Sequence, residues 1–572
     1  MSGTASYLST TVYTNAGYWN FISPGSLPSA FHLAVQPKYA TETERSGSSY
    51  LVDFGQETFG YLKFHGIQGK GQVKIYYGES KEEALASNSC ETLDKLDFDT
   101  KSKTDYTVNL SKAFRFVSIL PDNTVTFDSV SMLYEYMPEN IRGSFRCSDE
   151  QVNKIWDIAR YTFQLNTREF FIDGIKRDRW VWSGDAYQSY LMNYYLYFDS
   201  PAVMRTLAAL RGKDPVTSHI NTILDYTFYW FLGIYDHYMY TGDPTFIQVF
   251  YPRMVSLMDY CLGRRNSNGM MEGLVGDWVY IDCAPLEKRG EVSFEQVLFA
   301  RSLETMTLCA KIMHDEAGEN KYSALAEDLK SILIPAFWDN TKGAFIHNRV
   351  GGRQVDKVTR YSNMFAVFFG YLDELKMKSV KDRVLKNDSV QKITTPYMRF
   401  YELEALCALG EQKYVMKEIK DYWGGMLDAG ATSFWEKFDP SESGTQHYAM
   451  YGSPFGKSLC HAWGASPIYL LGKYYLGVRP LSPGYKTWSA APVLGGLQWI
   501  EGSVPTPDGD ISIRCTSTLI KIKSSAGQGT LRFRSGKKPV SKDGSIKETG
   551  INLFEMNINK GKEYAVEYTN IE

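Results

Sequence analysis

The segment Phe171-Ile-Asp-Gly-Ile-Lys-Arg-Asp-Arg-Trp-Val-Trp-Ser-Gly-Asp185 differs from the rest of the chain because it is both aromatic and highly charged. It joins a helical run upstream to an aromatic run at 186–198. A solvated loop gains nothing from Trp180 and Trp182, and charged side chains are seldom fully buried unless they are paired. The pattern is typical of a pocket wall where indole faces meet a polar ligand. The alternative is a buried ion-pair network between two helices.

The composition narrows the classes of ligand. With 572 residues the chain is too long for one hydrophobic core, so we expect several domains. Aromatic residues make up 15% of the chain, which favours a carbohydrate ligand because sugars stack on aromatic faces. The formal net charge is −3 and no basic block is present, which argues against nucleic-acid binding. A homo-oligomer is compatible with the sequence.

Metal, cofactor and membrane signals are missing from the sequence. The eight cysteines are scattered without a C-x-x-C pair, and the histidines show no ligand spacing, so we expect no metal and no cofactor. No run of 18 apolar residues suggests a transmembrane helix. The first residues lack the charged and apolar regions of a secretory leader. We therefore expect a cytoplasmic protein, with a periplasmic or secreted one as the alternative if a signal peptide has been removed.

The hydrophobic period changes twice along the chain. Short β-branched and aromatic runs, among them 50–54, 73–77 and 125–127, predict a β-sandwich before residue 142. Helical spacing begins near Ser148 and recurs to about 477, with roughly a dozen helices, the last predicted at 458–476. Alternating strands return after 481. The helices come in paired up-and-down order, which predicts a barrel of helical hairpins between two β domains.

Acidic residues beside aromatic ones recur in three predicted loops, at 173–185, 276–282 and 431–439, and a fourth candidate loop at 460–463 has His461 close to Trp463. No G-x-S-x-G or H-E-x-x-H pattern accompanies them. Glycosidic bond hydrolysis needs one proton donor and one carboxylate, so these loops fit a glycoside hydrolase. We expect Asp282 and Asp439 to serve as loop or capping residues.

A resemblance to a known family covers most of the chain. Residues 173–185 resemble the D-x-P-K-R-E-R-x-x-W-x-G-D signature of the α-L-rhamnosidases of glycoside hydrolase family 78. Gly430-Ala-Thr-Ser-Phe-Trp-Glu436 resembles the G-A-T-T-x-W-E motif of that family, and 53–56, 78–79 and 458–477 resemble further parts of it. The resemblance implies an (α/α)6 six-hairpin barrel at 143–480 between β-sandwich domains at 1–142 and 481–572.

The same resemblance implies roles for eight residues in an exo-acting, inverting α-L-rhamnosidase. Asp178 takes the position of the general acid and Glu436 that of the general base. Asp173 or Asp185 in place of either member of this pair is the alternative assignment. The remaining positions imply sugar contacts, with His447 as an alternative to the last of them: Asp173, Arg177, Trp182, Asp185, Trp278 and His461.

Two departures from the family pattern affect the predicted acid. Asp178 stands where Glu is usual, and Ile175 stands where Pro is usual. Aspartate is one methylene shorter, which retracts the carboxyl by about 1.5 Å. A misplacement near 1 Å can reduce the rate on the order of a hundredfold. Two alternatives therefore stay open: a hydrolase of the same fold for another terminal sugar, and a carbohydrate-binding relative without catalysis.

Overall fold

The computed structural model of the chain describes residues 33–571. Residues 1–32 and 572 lie outside the described part, and so do the prediction about a leader and the first part of the predicted 1–142 domain. Within 33–571 no helix combines the length and the apolar character needed to cross a membrane.

The N-terminal domain is built on one strand that folds back around another. The 30-residue strand β3 pairs with four other strands, and β5 lies between its two arms, so that Ile119 is opposite both Tyr50 and Ile75. The predicted strand at 125–127 is reduced to an isolated bridge between Gln68 and Thr126, because turns on either side leave no room for a ladder. The elements are β1 Ala34–Tyr39, β2 Glu42–Ser46, β3 Ser49–Gly78, α1 Lys81–Leu85, β4 Thr92–Thr107, β5 Lys112–Pro121 and β6 Ser129–Tyr136.

The middle of the chain is helical from residue 150. Asp149 caps the first of these helices by accepting hydrogen bonds from the backbone of Gln151 and Val152, as expected for a helix start here. The helices are α2 Glu150–Asn166, α3 Ser183–Asn193, α4 Ser200–Arg211, α5 Leu224–Thr241, α6 Thr245–Leu262, α7 Ser293–Ile312, α8 Glu316–Phe337, α9 Arg360–Phe368, α10 Glu374–Val380, α11 Pro396–Ala408, α12 Gln412–Asp428 and α13 Pro467–Leu470. Short strands lie before and between them: β7 Ser144–Cys147, β8 Glu291–Val292, β9 Trp338–Asp339, β10 Ala344–Phe345, β11 Asn348–Val350 and β12 Arg353–Gln354.

The helix predicted at 458–476 is wrong over its first half. Only Pro467–Leu470 and the turn Leu471–Tyr475 that continues it are regular, after a single 3₁₀ turn at Ala462–Ala465. The residues before them are extended because their backbone bonds elsewhere: the carbonyl of Ser458 accepts from Glu436 N–H, and His461 N–H donates to the carbonyl of Phe434. Tertiary hydrogen bonds thus keep the apolar segment 458–466 out of a helix over most of its length.

The C-terminal part forms two five-stranded sheets, ordered β13-β14-β18-β20-β19 and β21-β17-β16-β15-β7. Its strands are β13 Val478–Pro480, β14 Thr487–Ala490, β15 Trp499–Thr506, β16 Gly509–Thr516, β17 Leu519–Ser524, β18 Gln528–Arg534, β19 Ile546–Gly550, β20 Leu553–Ile558 and β21 Glu563–Glu567. Strands β7 and β13 fall inside the predicted 143–480 domain but pair with C-terminal strands. The boundaries at 142 and 480 stay a prediction.

The chain is therefore multidomain, with N-terminal and C-terminal β domains around a helical one. One cluster of buried apolar side chains runs through the helices and into the C-terminal sheets. The N-terminal domain has its own cluster, which also takes in Leu165, Ile172, Ile175 and Cys460 from the helical domain. Two of these residues, Ile172 and Ile175, belong to the aromatic and charged segment, so the N-terminal domain packs directly on that segment.

Candidate active site

A pocket of about 420 Å³ opens where α3 and α5 begin. Loops from 276–282 and 436–463 and one residue of the N-terminal domain complete its walls. All eight residues that the sequence assigned to the site line this pocket, although they are spread over 289 positions from Asp173 to His461. The lining consists of Glu91, Asp173, Gly174, Arg177, Asp178, Trp182, Asp185, Ile223, Tyr226, Trp278, Tyr280, Glu436, Tyr451, Ser453, Gly456, Ser458, His461 and Trp463.

The segment before α3 is a closed loop. Asp173 N–H donates to the carbonyl of Trp180 at 3.0 Å, and Trp180 N–H returns a hydrogen bond of 2.9 Å to Oδ1 of Asp173. These two bonds bring the ends of the loop together and leave the residues between them at its tip. Arg177 and Asp178 lie at this tip and line the pocket.

Arg179 is turned away from the pocket toward the N-terminal domain. Its backbone is left-handed, with φ of 49°. The guanidinium donates to the carbonyls of Ile175 at 3.0 Å and Ser111 at 2.9 Å and lies over the ring of Phe59. Arg179 therefore fixes the loop against the neighbouring domain, and its charge is directed away from Asp178.

Two carboxyl groups and one imidazole form a buried polar group in the pocket lining. Nε2 of His461 lies 3.0 Å from Oδ1 of Asp185, and the Tyr226 hydroxyl donates to Oδ2 of Asp185 at 3.2 Å. Asp173 lies beside them, and its carbonyl accepts from Ala462 N–H at 2.7 Å. All three acid and imidazole side chains are buried.

Burial and mutual charge shift the titration of this group. Burial raises the pKa of Asp173 to about 7, against the opposing effect of the His461 charge. Burial also raises the pKa of Asp185 above its usual value, against the hydrogen bond from His461. Burial alone would lower the pKa of His461, but the bond to Asp185 and the charges of Glu436, Asp185 and Asp173 raise it overall. The group can therefore present an imidazolium and carboxyl oxygens to hydroxyl groups of a ligand.

Glu436 is buried and held by three hydrogen-bond donors. Its Oε2 accepts from Ser458 N–H at 2.9 Å and from Nη2 of Arg177 at 3.3 Å. Its Oε1 accepts from the Tyr451 hydroxyl at 2.7 Å. Its backbone is fixed as well, because the carbonyl accepts from the indole N–H of Trp463 at 3.0 Å. A carboxylate has about four acceptor positions, so one position stays open for a water molecule.

Asp178 has a different environment. It is exposed at the pocket rim, and among residues 33–571 its carboxylate receives no hydrogen bond and forms no ion pair with Arg177 or Arg179. Arg177 is directed instead to Glu436 and to the ring of Tyr451, whose centroid lies 4.9 Å from the guanidinium carbon. The carboxyl group of Glu436 is thus fixed and buried, whereas that of Asp178 is exposed and has no bonded partner within 33–571.

Aromatic rings line the apolar parts of the pocket. Trp182 packs edge-on against Tyr226 with ring centroids 6.2 Å apart, and Trp278 packs edge-on against Tyr280 at 5.5 Å. Trp463 is buried against the His461 ring at 4.0 Å. Trp278 remains 48% exposed, so its indole face is available at the pocket entrance. The arrangement combines polar groups in the interior with aromatic faces around them, as sugar sites require.

The loop with Trp278 is shaped by a buried acid that the sequence did not reveal. Asp225 in the first turn of α5 accepts from the backbone of Tyr280 at 3.2 Å and Ile281 at 3.0 Å. Asp282, expected to have a structural role, accepts from the hydroxyls of Tyr361 and Thr395, each at 2.7 Å. Asp225 thus holds backbone, Asp282 holds two side-chain hydroxyls, and neither acid is part of the pocket lining.

A buried ion-pair network ties both motif segments to the N-terminal domain. Nζ of Lys176 lies 2.9 Å from Oε2 of Glu83 and 3.4 Å from Oε2 of Glu79. The same Glu79 oxygen accepts from Leu459 N–H at 2.7 Å. Lys176 is two residues before Asp178, and Leu459 follows the Ser458 that binds Glu436. One carboxylate of the N-terminal domain therefore fixes the positions of both segments.

Several lining residues were missed from the sequence. Tyr226, Tyr451, Ser453 and Glu91 line the pocket, yet none lies in a motif used for prediction. Tyr451 has the one local signal, an aromatic residue beside glycine in a turn 15 positions after Glu436. His447, the alternative to His461, is not among the lining residues and stacks on Phe438. Among the described residues no group of three or more His, Cys, Asp or Glu side chains could hold a metal ion.

Three family models match the chain in order. They are the α-rhamnosidase-like N-terminal domain of Bacteroidetes at residues 1–119, the bacterial α-L-rhamnosidase six-hairpin glycosidase domain at 140–475, and the bacterial α-L-rhamnosidase C-terminal domain at 477–521. An α-L-rhamnosidase of Alteromonas sp. is 23% identical over 529 residues, which cover 83% of this chain and 54% of that protein. The chain thus spans about half the length of this relative.

Solved structures share the fold. A family 78 rhamnosidase of Bacillus sp. GL1 superposes with a TM-score of 0.73 and 24% identity, covering 89% of this chain and 53% of that one. A rhamnosidase of Klebsiella oxytoca, solved with rhamnose bound, gives a TM-score of 0.66 and 22% identity over 78% of this chain and 96% of that one. The six-hairpin model alone matches more than half of the sequence, and the chain therefore belongs to the bacterial α-L-rhamnosidase six-hairpin glycosidases of glycoside hydrolase family 78.

Proposed function

We propose that the protein is an exo-acting α-L-rhamnosidase that releases terminal L-rhamnose from glycosides, oligosaccharides or polysaccharides with inversion at the anomeric carbon. One observation carries the proposal. A buried, three-fold hydrogen-bonded Glu436 and an exposed, unrestrained Asp178 line the same sugar-sized pocket. Family membership supports rhamnose as the released sugar, and the pocket supplies the two carboxyl groups that the chemistry needs.

In the proposed reaction Asp178 donates its proton to the leaving oxygen as the glycosidic bond breaks. Glu436 removes a proton from a water molecule that attacks the opposite face of the anomeric carbon. Asp178 ends the step as a carboxylate and Glu436 as a carboxylic acid, and the first-formed product is β-L-rhamnose. An inverting pair of this kind requires its carboxyl groups about 6.5–9.5 Å apart.

The environments of the two carboxyl groups support this division of roles. Glu436 is buried and held by Arg177, Tyr451 and the Ser458 backbone, which fixes the direction in which its carboxylate can meet a water molecule. Asp178 is exposed and has no bonded partner within 33–571, so its carboxyl group is free to approach the leaving oxygen. Asp173 and Asp185 are engaged at the inner end of the pocket, which favours them as sugar-binding rather than proton-transferring groups.

The remaining predicted residues supply binding. Asp173, Asp185 and His461 together offer donors and acceptors for the rhamnose hydroxyls, and Arg177 adds a further donor. Trp182 and Trp278 supply apolar faces for the methyl group and ring. Part of the lining is buried and part is exposed, which supports a pocket that holds a terminal sugar and therefore exo action.

We infer the architecture of the helical domain, the binding partners and the cellular location in the same way. The helical domain is proposed as an (α/α)6 barrel between two β-sandwich domains, in keeping with its twelve helices α2–α13 within the described residues and with the six-hairpin family model. A carbohydrate remains the proposed partner, without nucleic acid or membrane. A homo-oligomer and a cytoplasmic location, with periplasmic or secreted as its alternative, stay predictions from the sequence.

Hydrolysis of p-nitrophenyl α-L-rhamnoside tests the activity, with the matching glucoside and glucuronide as substrates for the alternative sugar. Release of p-nitrophenol from the rhamnoside, and loss of that release in Glu436→Gln, is the expected result. NMR of the product should show β-rhamnose first, and α-rhamnose first would contradict inversion. No turnover of any rhamnoside, with rhamnose bound in calorimetry, would favour a binding protein, the alternative motivated by the short Asp178.

A further inference from the structure

Glu91 reaches the pocket from a different domain. It lies between α1 and β4 of the N-terminal domain and is exposed, yet it lines the same pocket as Asp178 and Glu436. Its carboxylate accepts a hydrogen bond from the Ser453 hydroxyl, which belongs to the loop that carries Tyr451. The contact joins two segments 362 positions apart. Neither motif used to find the site contains either residue.

The backbone on both sides of Glu91 is anchored within the N-terminal domain. Cys90 N–H donates to the carbonyl of Ala86 at 2.8 Å, and the Cys90 Sγ contacts the carbonyls of Tyr77 and Thr92. Thr92, the residue after Glu91, begins strand β4. The Glu91 side chain therefore projects from fixed backbone.

Burial orders the pocket from its interior to its entrance. Asp173, Asp185, His461 and Glu436 are all at most 6% exposed. Asp178 and Glu91 are both exposed, and Ser453 is half-buried. In the proposed reaction Asp178 protonates the leaving oxygen, so the exposed end of the pocket is the side on which the leaving group departs. Glu91 and Ser453 share the less buried part of the lining with Asp178, which favours a position for them beside the leaving group.

The charges at this end are unbalanced. Glu91 contributes a carboxylate, whereas Arg177 is the one cationic side chain in the lining besides His461, and it is bonded to Glu436. A leaving group that carries a carboxylate would meet repulsion here, because no cation of the lining is directed to the entrance. A hydroxyl-bearing neutral group would instead donate to the Glu91 carboxylate.

We propose that Glu91, oriented by Ser453, forms part of the leaving-group subsite and selects a neutral, hydroxyl-rich sugar over a uronic acid as the unit to which rhamnose is attached. The inference rests on the proposed function and deepens it, since it names the chemical class on the far side of the bond. Glu91 acts by binding and takes no part in proton transfer.

The test compares two disaccharides of identical linkage, rhamnosyl-glucose and rhamnosyl-glucuronate, by the kcat/KM for rhamnose release. Wild type should prefer the neutral substrate. Glu91→Gln keeps the size and removes the charge, so the preference should fall by about three- to tenfold. Glu548→Gln, an exposed position on the edge strand β19, is the matched control and should leave the ratio at the wild-type value.

The outcomes separate this inference from the proposed function. A Glu91→Gln ratio within twofold of wild type, or a wild type that prefers the uronate, would overturn the subsite. If wild type releases rhamnose from neither disaccharide and does not hydrolyse p-nitrophenyl α-L-rhamnoside, the result contradicts the proposed function rather than the subsite. In that case calorimetry with the same two disaccharides decides the subsite: tighter binding of the neutral one supports it, and equal affinities overturn it.

Discussion

The Tyr451 hydroxyl donates a hydrogen bond of 2.7 Å to Oε1 of Glu436, and the Tyr451 ring lies against the guanidinium of Arg177, which bonds the other oxygen of the same carboxylate. Tyr451 is 64% exposed and has a left-handed backbone with φ of 53°, uncommon for a large side chain. A strained, exposed tyrosine that contacts a buried acid is expected to position that acid.

Tyr451→Phe keeps the ring over Arg177 and removes only the donor. We expect kcat for rhamnoside hydrolysis to fall about tenfold, since a hydrogen bond to a charged group is lost. Steady-state kinetics on p-nitrophenyl α-L-rhamnoside measures this loss. Unchanged kcat in Tyr451→Phe, with a loss confined to Tyr451→Ala, would show that only the ring matters.

The raised pKa of Asp173 predicts that the folded protein loses stability as the pH rises. Its pKa is raised from 3.8 to about 7, so between these pH values the folded protein holds a proton that the unfolded chain has released. Stability therefore falls as pH rises through this window, by about 4 kcal/mol at full extent. Asp173→Asn removes the ionisation and can still accept the hydrogen bond from Trp180 N–H.

We expect Asp173→Asn to be more stable than wild type, with the difference growing by about 2–3 kcal/mol between pH 5 and pH 8. Urea unfolding followed by tryptophan fluorescence at both values measures it, and activity should fall in the same variant. The exposed Asp382→Asn is the control and should show no such trend. An Asp173→Asn difference that stays constant with pH would contradict the raised pKa.

Replacement of Lys176 is predicted to lower the free energy of unfolding strongly. Its side chain is 3% exposed and faces the carboxylates of Glu79 and Glu83, so Lys176→Met leaves buried acids without their cation. Such a change costs about 3–5 kcal/mol, whereas an exposed ion pair is worth at most about 1 kcal/mol. Lys321→Met, which breaks the exposed pair with Asp259, is the matched control. Equal urea midpoints for the two variants would refute the interdomain role.

The sequence predicted the residues that meet in the pocket better than the elements that bring them there. The segments at 173–185 and 430–436 led to Asp178, Glu436 and their neighbours because they resemble motifs of a known family, whereas charge and aromatic content alone left a buried ion-pair network open as the alternative for the first segment. The segment at 458–466 has helical apolar spacing, and only its hydrogen bonds to Phe434 and Glu436 make it extended. Local pattern cannot register such distant partners.

Pocket residues that come from the N-terminal domain could not be predicted from the sequence for the same reason. Glu91 stands in an exposed turn, and only the fold of the N-terminal domain brings it to the pocket. Gly78-Glu79 resembles the family pattern, but only the structure shows that Glu79 pairs with Lys176 and accepts from Leu459 N–H. Arg177 and Arg179 flank Asp178 in the sequence, but the structure directs Arg177 to Glu436 and Arg179 to the carbonyls of Ile175 and Ser111.

The assignment of Asp178 as acid and Glu436 as base is tested most directly by changing the leaving group. A 2,4-dinitrophenyl leaving group needs no proton, whereas a sugar leaving group does. We predict that Asp178→Asn keeps most of the wild-type kcat/KM on 2,4-dinitrophenyl α-L-rhamnoside and loses about 10²–10⁴-fold on a rhamnosyl disaccharide, while Glu436→Gln loses that much on both. Equal losses on the two substrates in Asp178→Asn would contradict its role as the proton donor.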